Sequence, residues 1–414
     1  MDRYPYFDPP RWWSARPSRF WMRLWQPVRR YQQLVQHRIT HIEVEGLANV
    51  REAISSGDGV LITPNHAGHG DCYLLLEALT RLPADFYFMT AWQVFHLAGP
   101  FARLAYRHHG CFSIDREQND LAAYREAVRL LATTSCPLVV FPEGDVYHLA
   151  EHVVPPRDGT LTMAMSAVRR TGRPVSCIPC ALRYRYVEDP TAELLPVMAA
   201  IEEKVGIPRG HSLPLAQRTE RLLEGTIAWR ETQYLGGSQV GPVDVRLEGL
   251  REAVLTRAER TLGIAPTHGS LPERVKLIRR EVVVERKECE LGERPATGDA
   301  AAVRIAALED AFVAVQLYSY LPGYVAERPT IERIAESVDK LEEDVLGKNT
   351  ATVRGRRHGT VTFGPPMRIE TAENREAGRR HSEELRRRMQ AVVDGPHRRA
   401  QAPPTRPQPA TCAS

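Results

Sequence analysis

The stretch Leu61-Ile62-Thr63-Pro64-Asn65-His66-Ala67-Gly68-His69-Gly70-Asp71 decides the fold. The apolar run Gly59–Thr63 reads as a buried strand, the proline and glycines as a tight turn, and Cys72–Leu82 as a helix. Outward from it the same alternation repeats. Phe86–Thr90, Cys111–Ile114, Pro137–Phe141 and Val175–Leu182 read as strands, and Phe95–His108, Leu121–Thr133 and Thr160–Arg170 as helices. Strand–helix alternation predicts an α/β sheet with helices on its faces, and such sheets present reactive groups at strand ends and helix starts.

The rest of the chain has a different texture. Residues 190–358 are long, charged and helix-patterned, which predicts a helical insertion or second domain. Strand-like alternation returns at Gly359–Glu370, followed by a charged helix to 394 and a Pro-rich tail, 395–414, expected to be disordered. With 40–189 as the α/β unit, residues 1–39 form a basic, Trp-rich leader. Four of six tryptophans (Trp12, Trp13, Trp21, Trp25) interleave there with six arginines between Arg11 and Arg30. Phe20, Trp21, Leu24, Trp25 and Val28 recur at helical spacing, with Pro17 and Pro27 as expected bounds. Indole rings and arginines suit a membrane–water boundary, so residues 11–30 are expected to associate with a membrane surface. A helix packed on the main domain is the other reading of the same pattern.

Composition narrows the class. The 414 residues are 43% hydrophobic and 26% charged, which fits a soluble globular protein of two or three units and excludes wholesale disorder, collagen and a polytopic membrane protein. The net charge of +4 is too small to imply nucleic acid; eight arginines against Asp2 and Asp8 concentrate it in residues 1–40. The seven cysteines, an odd number mostly in apolar runs, suggest reduced thiols in a cytosolic-facing protein. No signal peptide and no transmembrane helix is expected.

Three segments carry chemistry. His66 and Asp71 lie five residues apart across the turn, where a carboxylate at Nδ1 leaves Nε2 as a general base. The alternative is a histidine that caps the helix. No Gly-x-Ser-x-Gly elbow supplies a nucleophile, so the pair suits direct transfer to a hydroxyl. In Gly110–Arg116, Arg116 is placed either to fork onto a phosphate or to pair with Asp115 in a surface turn. In Val139–Asp145, Pro142 and Gly144 bracket Glu143 at a strand end, where an acid can bind acceptor hydroxyls, hold Arg116, or do neither. A metal site from His66, His69 and Asp71 lacks the spacing of known motifs. Cys177 and Cys180 should face opposite sides of a strand, against a zinc or redox half-site.

Taken in order, His66-x4-Asp71, Gly110 to Asp115-Arg116, Phe141-Pro142-Glu143-Gly144 and the strand around Pro179 resemble the four-block signature of the glycerolipid acyltransferase family, whose best-known bacterial members are 1-acylglycerol-3-phosphate acyltransferases. Val153–Thr160 is similar to the family's Pro-x-Lys-x-Gly stretch and Val361–Met367 to its closing strand. The resemblance implies a mixed sheet flanked by helices and transfer of a fatty acyl chain from acyl carrier protein or coenzyme A to the free hydroxyl of a lyso-glycerolipid. Residue by residue it makes His66 the base and Asp71 its orienting partner. Arg116 becomes the phosphate ligand, with Glu143 and Gly144 shaping the acceptor pocket. No metal or prosthetic group is implied, and the expected place of work is the inner face of the cell membrane. The chain departs from the pattern after Gly144, where Asp145-Val146 replaces Thr-Arg, and at Met89–Trp92, which lacks a common lysine. Arg157 stands where the family often has lysine and is expected to compensate. These losses keep another lyso-lipid acceptor, or a non-catalytic lipid-binding scaffold, as alternatives.

Overall fold

A computed structural model describes residues 10–116, 120–157, 159–265, 269–290, 298–371 and 375–401. Eight strands form one mixed sheet: β1 (Ile39–Glu45), β2 (Gly59–Pro64), β3 (Tyr87–Ala91), β4 (Cys111–Ile114), β5 (Leu138–Val139), β6 (Val175–Tyr186), β7 (Arg357–Phe363) and β8 (Met367–Ile369). The order is β1-β7-β6-β2-β5-β3-β4, with β8 beside β6. From β6 to β4 the strands run parallel; β7 and β8 pair antiparallel with β6.

Burial on both faces explains the continuous apolar runs. Leu61, Cys177 and Ala181 face one core, while Val60, Ile62, Ile178 and Cys180 face the other. Cys177 and Cys180 therefore lie on opposite sides, as alternation along a strand requires. The helices of this unit are α1 (Arg19–Leu24), α2 (Gln26–Tyr31), α3 (Leu47–Ser55), α4 (Asp71–Leu79), α5 (Trp92–Leu97), α6 (Pro100–His108), α7 (Leu121–Thr133) and α8 (Gly159–Thr171).

The helical region follows as α9 (Thr191–Val205), α10 (Leu215–Leu235), α11 (Val243–Thr261), α12 (Leu271–Glu290), α13 (Gly298–Tyr318), α14 (Tyr324–Glu327) and α15 (Ile331–Leu346). It has its own core, built on residues such as Leu222, Leu250 and Val338. Its charges are partly internal: buried Arg218 forks onto buried Glu202 at 2.8 and 2.7 Å. Tyr147, Leu149 and Val154, from the loop after β5, join this core, so the loop is pinned between sheet and helices. The last helix, α16 (Arg375–Gln401), packs on β6 and α8.

Several local expectations need correction. The stretch 95–108 is two helices, because Pro100 starts a new one after the extended Ala98. Pro27 opens α2 near its first position rather than closing a helix. The strand expected over 137–141 is assigned only at Leu138–Val139, with the Pro137 carbonyl and the Val140 N–H still bonding to the neighbouring strands and Pro137 having no N–H to give. Strand β1 and helix α3 were not anticipated. Helix α16 continues to Gln401, past the position where a disordered tail was expected to begin; residues 402–414 lie outside the described residues.

Candidate active site

The site begins where β2 ends. Buried Asn65 fixes the turn by bonding across to β6: its Oδ1 accepts from Leu182 N–H at 2.7 Å, and its Nδ2 donates to the carbonyls of Ala150 and Leu182. The chain then turns through Gly68 and enters α4 at Asp71, which is 1% exposed. Asp71 Oδ2 accepts from His66 Nδ1 at 2.9 Å and from the Gly68 N–H at 3.0 Å; Oδ1 accepts from the Tyr184 hydroxyl at 2.8 Å. A carboxylate only accepts, so this geometry places the imidazole proton on Nδ1 and leaves the Nε2 lone pair outward. The His66 side chain keeps 22% of its surface, and its ring stacks on Phe141 with centroids 4.1 Å apart.

Glu143 comes next to His66 through the backbone. Burial pushes its carboxyl well above the usual range, the nearby Asp71 charge adds to that, and the hydrogen bond from the His66 backbone N–H works the other way. Its Oε1 is buried without a hydrogen-bond partner among the described residues. Gly144 adopts φ +81°, and a Cβ there would collide with the Arg157 guanidinium. The positive φ is what favours glycine here, and a larger residue would also have to displace the Arg157 side chain.

The arginines converge on Asp145. Arg116 donates to the Gly144 carbonyl and to Asp145 Oδ1 at 2.8 Å. Arg157 donates to the Glu143 carbonyl at 3.3 Å and to Asp145 Oδ2 at 3.2 Å. Burial pushes the Asp145 carboxyl up, but Arg116, Arg157 and Arg279 together outweigh it and hold it below the usual range. The carboxylate that holds Arg116 is thus Asp145, not Glu143. His66, Asp71, Arg116, Glu143, Gly144 and Arg157 form one unbroken chain of contacts, although they span more than ninety residues of sequence.

The family model described as Acyltransferase matches residues 41–183. These residues are a glycerolipid acyltransferase-family domain. All six site residues of this acyltransferase domain fall inside the match, and its general chemistry is acyl transfer between a donor and a lipid acceptor. No curated protein matches the chain.

Four residues that matter here escaped the sequence reading. Phe141 was within a quoted block, but nothing in the text said that it would stack on His66. Tyr184 and Asn65 act through contacts with partners 85 to 117 residues away in sequence. Arg279 belongs to α12, outside the acyltransferase match. Of the residues weighed as metal ligands, His66 and Asp71 engage each other, while His69 turns to Glu343.

Proposed function

We propose that the protein is an O-acyltransferase that moves a fatty acyl chain from an acyl carrier protein or coenzyme A thioester to the free hydroxyl of 1-acylglycerol-3-phosphate. The observation that carries this reading is the outward Nε2 of His66, backed by Asp71, beside a cluster of three arginines around one carboxylate. Nε2 takes the acceptor hydroxyl proton as the oxygen attacks the thioester carbonyl. The resulting imidazolium is stabilised by Asp71. When the tetrahedral intermediate collapses, the C–S bond breaks and the departing thiolate receives that proton. Phe141 covers one face of the ring and limits its rotation.

Arg116 and Arg157 in contact with Asp145, and Arg279 near enough to act on its charge, bring together the guanidinium donors that suit a phosphate monoester. On this reading Asp145 is a counter-ion that keeps the arginines apart and aimed, and Arg279 replaces cations missing from the family pattern. A second reading is favoured by Arg116 being already engaged by Gly144 and Asp145: the acceptor is then a different lyso-lipid, with a singly charged phosphodiester. An acceptor screen with one thioester donor separates them. The first reading expects 1-acylglycerol-3-phosphate to give the highest kcat/KM; preference for a lysophosphodiester or a phosphate-free monoacylglycerol overturns it.

The acceptor is a lipid, and the leader supplies a surface for reaching it. Phe20 (69% exposed), Leu24 (58%) and Val28 project from α1 and α2, and Leu97 and Phe101 (79%) from α5 and α6. Trp21 stacks on His108, which joins the two helix pairs into one apolar platform. Exposed Arg11, Arg16, Arg23 and Arg30 flank it, suited to anionic headgroups. No helix among the described residues is long and apolar enough to cross a membrane. Peripheral docking through this platform, at the inner face of the cell membrane, completes the reading.

A further inference from the structure

His69 shares the turn between His66 and Asp71, but its side chain leaves the catalytic pair. Its Nε2 lies 3.0 Å from Glu343 Oε1, on α15 of the helical region. His148, in the loop after Glu143-Gly144, brings its own Nε2 to 3.2 Å from Glu343 Oε2. Three elements far apart in sequence thus gather two imidazole nitrogens around one carboxylate. We propose that His69, His148 and Glu343 form a binding site for a zinc-class divalent metal ion, which fastens the helical region to the turn that carries His66.

The donor set fits. Two imidazoles and a carboxylate suit zinc and its neighbours, with a fourth position left for solvent. The three donor atoms lie within 4.8 Å of one another. A tetrahedral ion with bonds near 2.0–2.1 Å needs donors roughly 3.3 Å apart. His69 stands at that distance from Oε1 and His148 from Oε2, so an ion would be held with the carboxylate spanning the two rings, and rotation of the more exposed His69 ring adjusts the remaining edge. His148 gives the second, independent sign. It is 5% exposed, and among the described residues its Nε2 meets only the Glu343 carboxylate, at 3.2 Å and off the ideal hydrogen-bond line. An unsatisfied buried nitrogen is costly, and a metal ion would satisfy it. His148 also holds φ +54°, a conformation side chains other than glycine seldom adopt.

The surroundings support occupancy. The Ala351 N–H donates to Glu343 Oε1 at 2.9 Å and orients the carboxylate, as outer partners of metal ligands do. His69 and His148 both line a cleft with about 630 Å³ of empty volume, bounded also by Tyr184, Glu336 and Asp339. The cleft gives solvent and ions a path to both histidines. This inference is separate from the acyl-transfer reading, because the three ligands take no part in that mechanism.

The test uses the full-length protein, cleared of metal with a chelator, and Co²⁺ as the optical probe. The expected result is one Co²⁺ per chain, with visible ligand-field bands of a nitrogen–oxygen site, no thiolate-to-cobalt charge-transfer band, and displacement by Zn²⁺. His69→Gln and His148→Asn should each weaken binding by more than about 100-fold, beyond the usual loss from an outer partner. Asparagine tolerates the backbone of position 148, and position 69 is partly exposed, so both variants should fold; circular dichroism verifies that. Zn²⁺ should raise the melting temperature of the parent and of neither variant. No binding at about tenfold excess of Co²⁺ overturns the proposal, as do a thiolate band or binding that survives in either variant. Neither acyl donor nor acceptor is present, so an inactive protein that binds Co²⁺ leaves this inference standing, and an active one that does not bind removes it alone.

Discussion

Asp71→Asn isolates what the carboxylate does for His66. The side chain keeps its shape, and its oxygen can still accept from His66 Nδ1 and Gly68 N–H while its amide faces the Tyr184 hydroxyl, which has a lone pair to offer. What disappears is the negative charge opposite an imidazolium that forms during the reaction. With charge centres about 4 Å apart and an effective dielectric constant near 20, that attraction is about 4 kcal/mol. Each ~1.4 kcal/mol is a factor of ten in rate, so the ceiling is roughly 10³-fold. The retained neutral hydrogen bond offsets part of it, which sets the expected fall in kcat at about 10²–10³-fold with little change in KM. The assay is release of free thiol from a coenzyme A thioester, run with saturating acceptor, beside a melting curve to show that the variant is folded. Combining Asp71→Asn with His66→Ala should cost no more than His66→Ala alone, because the carboxylate acts through the ring. A folded Asp71→Asn enzyme with less than about fivefold loss would refute the reasoning.

Three further outcomes are expected. Arg279→Gln should raise KM for a phosphate-bearing acceptor by roughly 10–100-fold, the usual worth of a charge-assisted contact, and leave kcat nearly intact; an unchanged KM removes Arg279 from the site. Burial, with Glu151 and Asp339 adding, pushes Glu336 up to about 8 from 4.5. The unfolded chain therefore releases this proton first, and stability falls as pH rises between those values, by at most about 1.4 kcal/mol per pH unit. Contact with the cleft keeps the slope under that limit. Glu336→Gln should remove this slope, so urea midpoints at pH 5.5 and 8 must converge relative to the parent; parallel shifts would contradict it. Phe101→Asp, on a helix outside the leader, should weaken co-sedimentation with anionic vesicles as strongly as Leu24→Asp does, because both residues share the platform; undiminished binding of Phe101→Asp would confine any membrane contact to the leader.

What could be read in advance was what is local. The β2–α4 turn, with His66 and Asp71 five residues apart, is one element of chain, and its hydrogen bond follows from the turn itself. The apolar runs of β2 and β6 announced a sheet buried on both faces. Edge strand β1 was less visible because Thr40, His41 and Glu43 are solvated or only partly covered and interrupt any apolar run. Proline was ambiguous: Pro27 and Pro100 both start helices, though one had been taken as an end. The charged pattern of residues 190–358 gave no sign of which charges are internal, yet Arg218 with Glu202 and Arg274 with Glu259 are buried pairs. Contacts made only in three dimensions left no trace in spacing. Asp145 looked like a lost cation until Arg116, Arg157 and Arg279 were found around it, and His69 had no visible partner because Glu343 lies 274 residues away.

In the proposed reaction the His66 ring moves the acceptor proton in a direct transfer. Single-turnover transfer of a labelled acyl chain from its thioester to 1-acylglycerol-3-phosphate, compared between the parent and a folded His66→Ala variant, tests it most directly. A direct transfer through His66 should lose on the order of 10²–10⁴-fold in the variant with no label retained on the protein; a variant that transfers at near-parental rate, or a labelled acyl-enzyme in the parent, would rule it out.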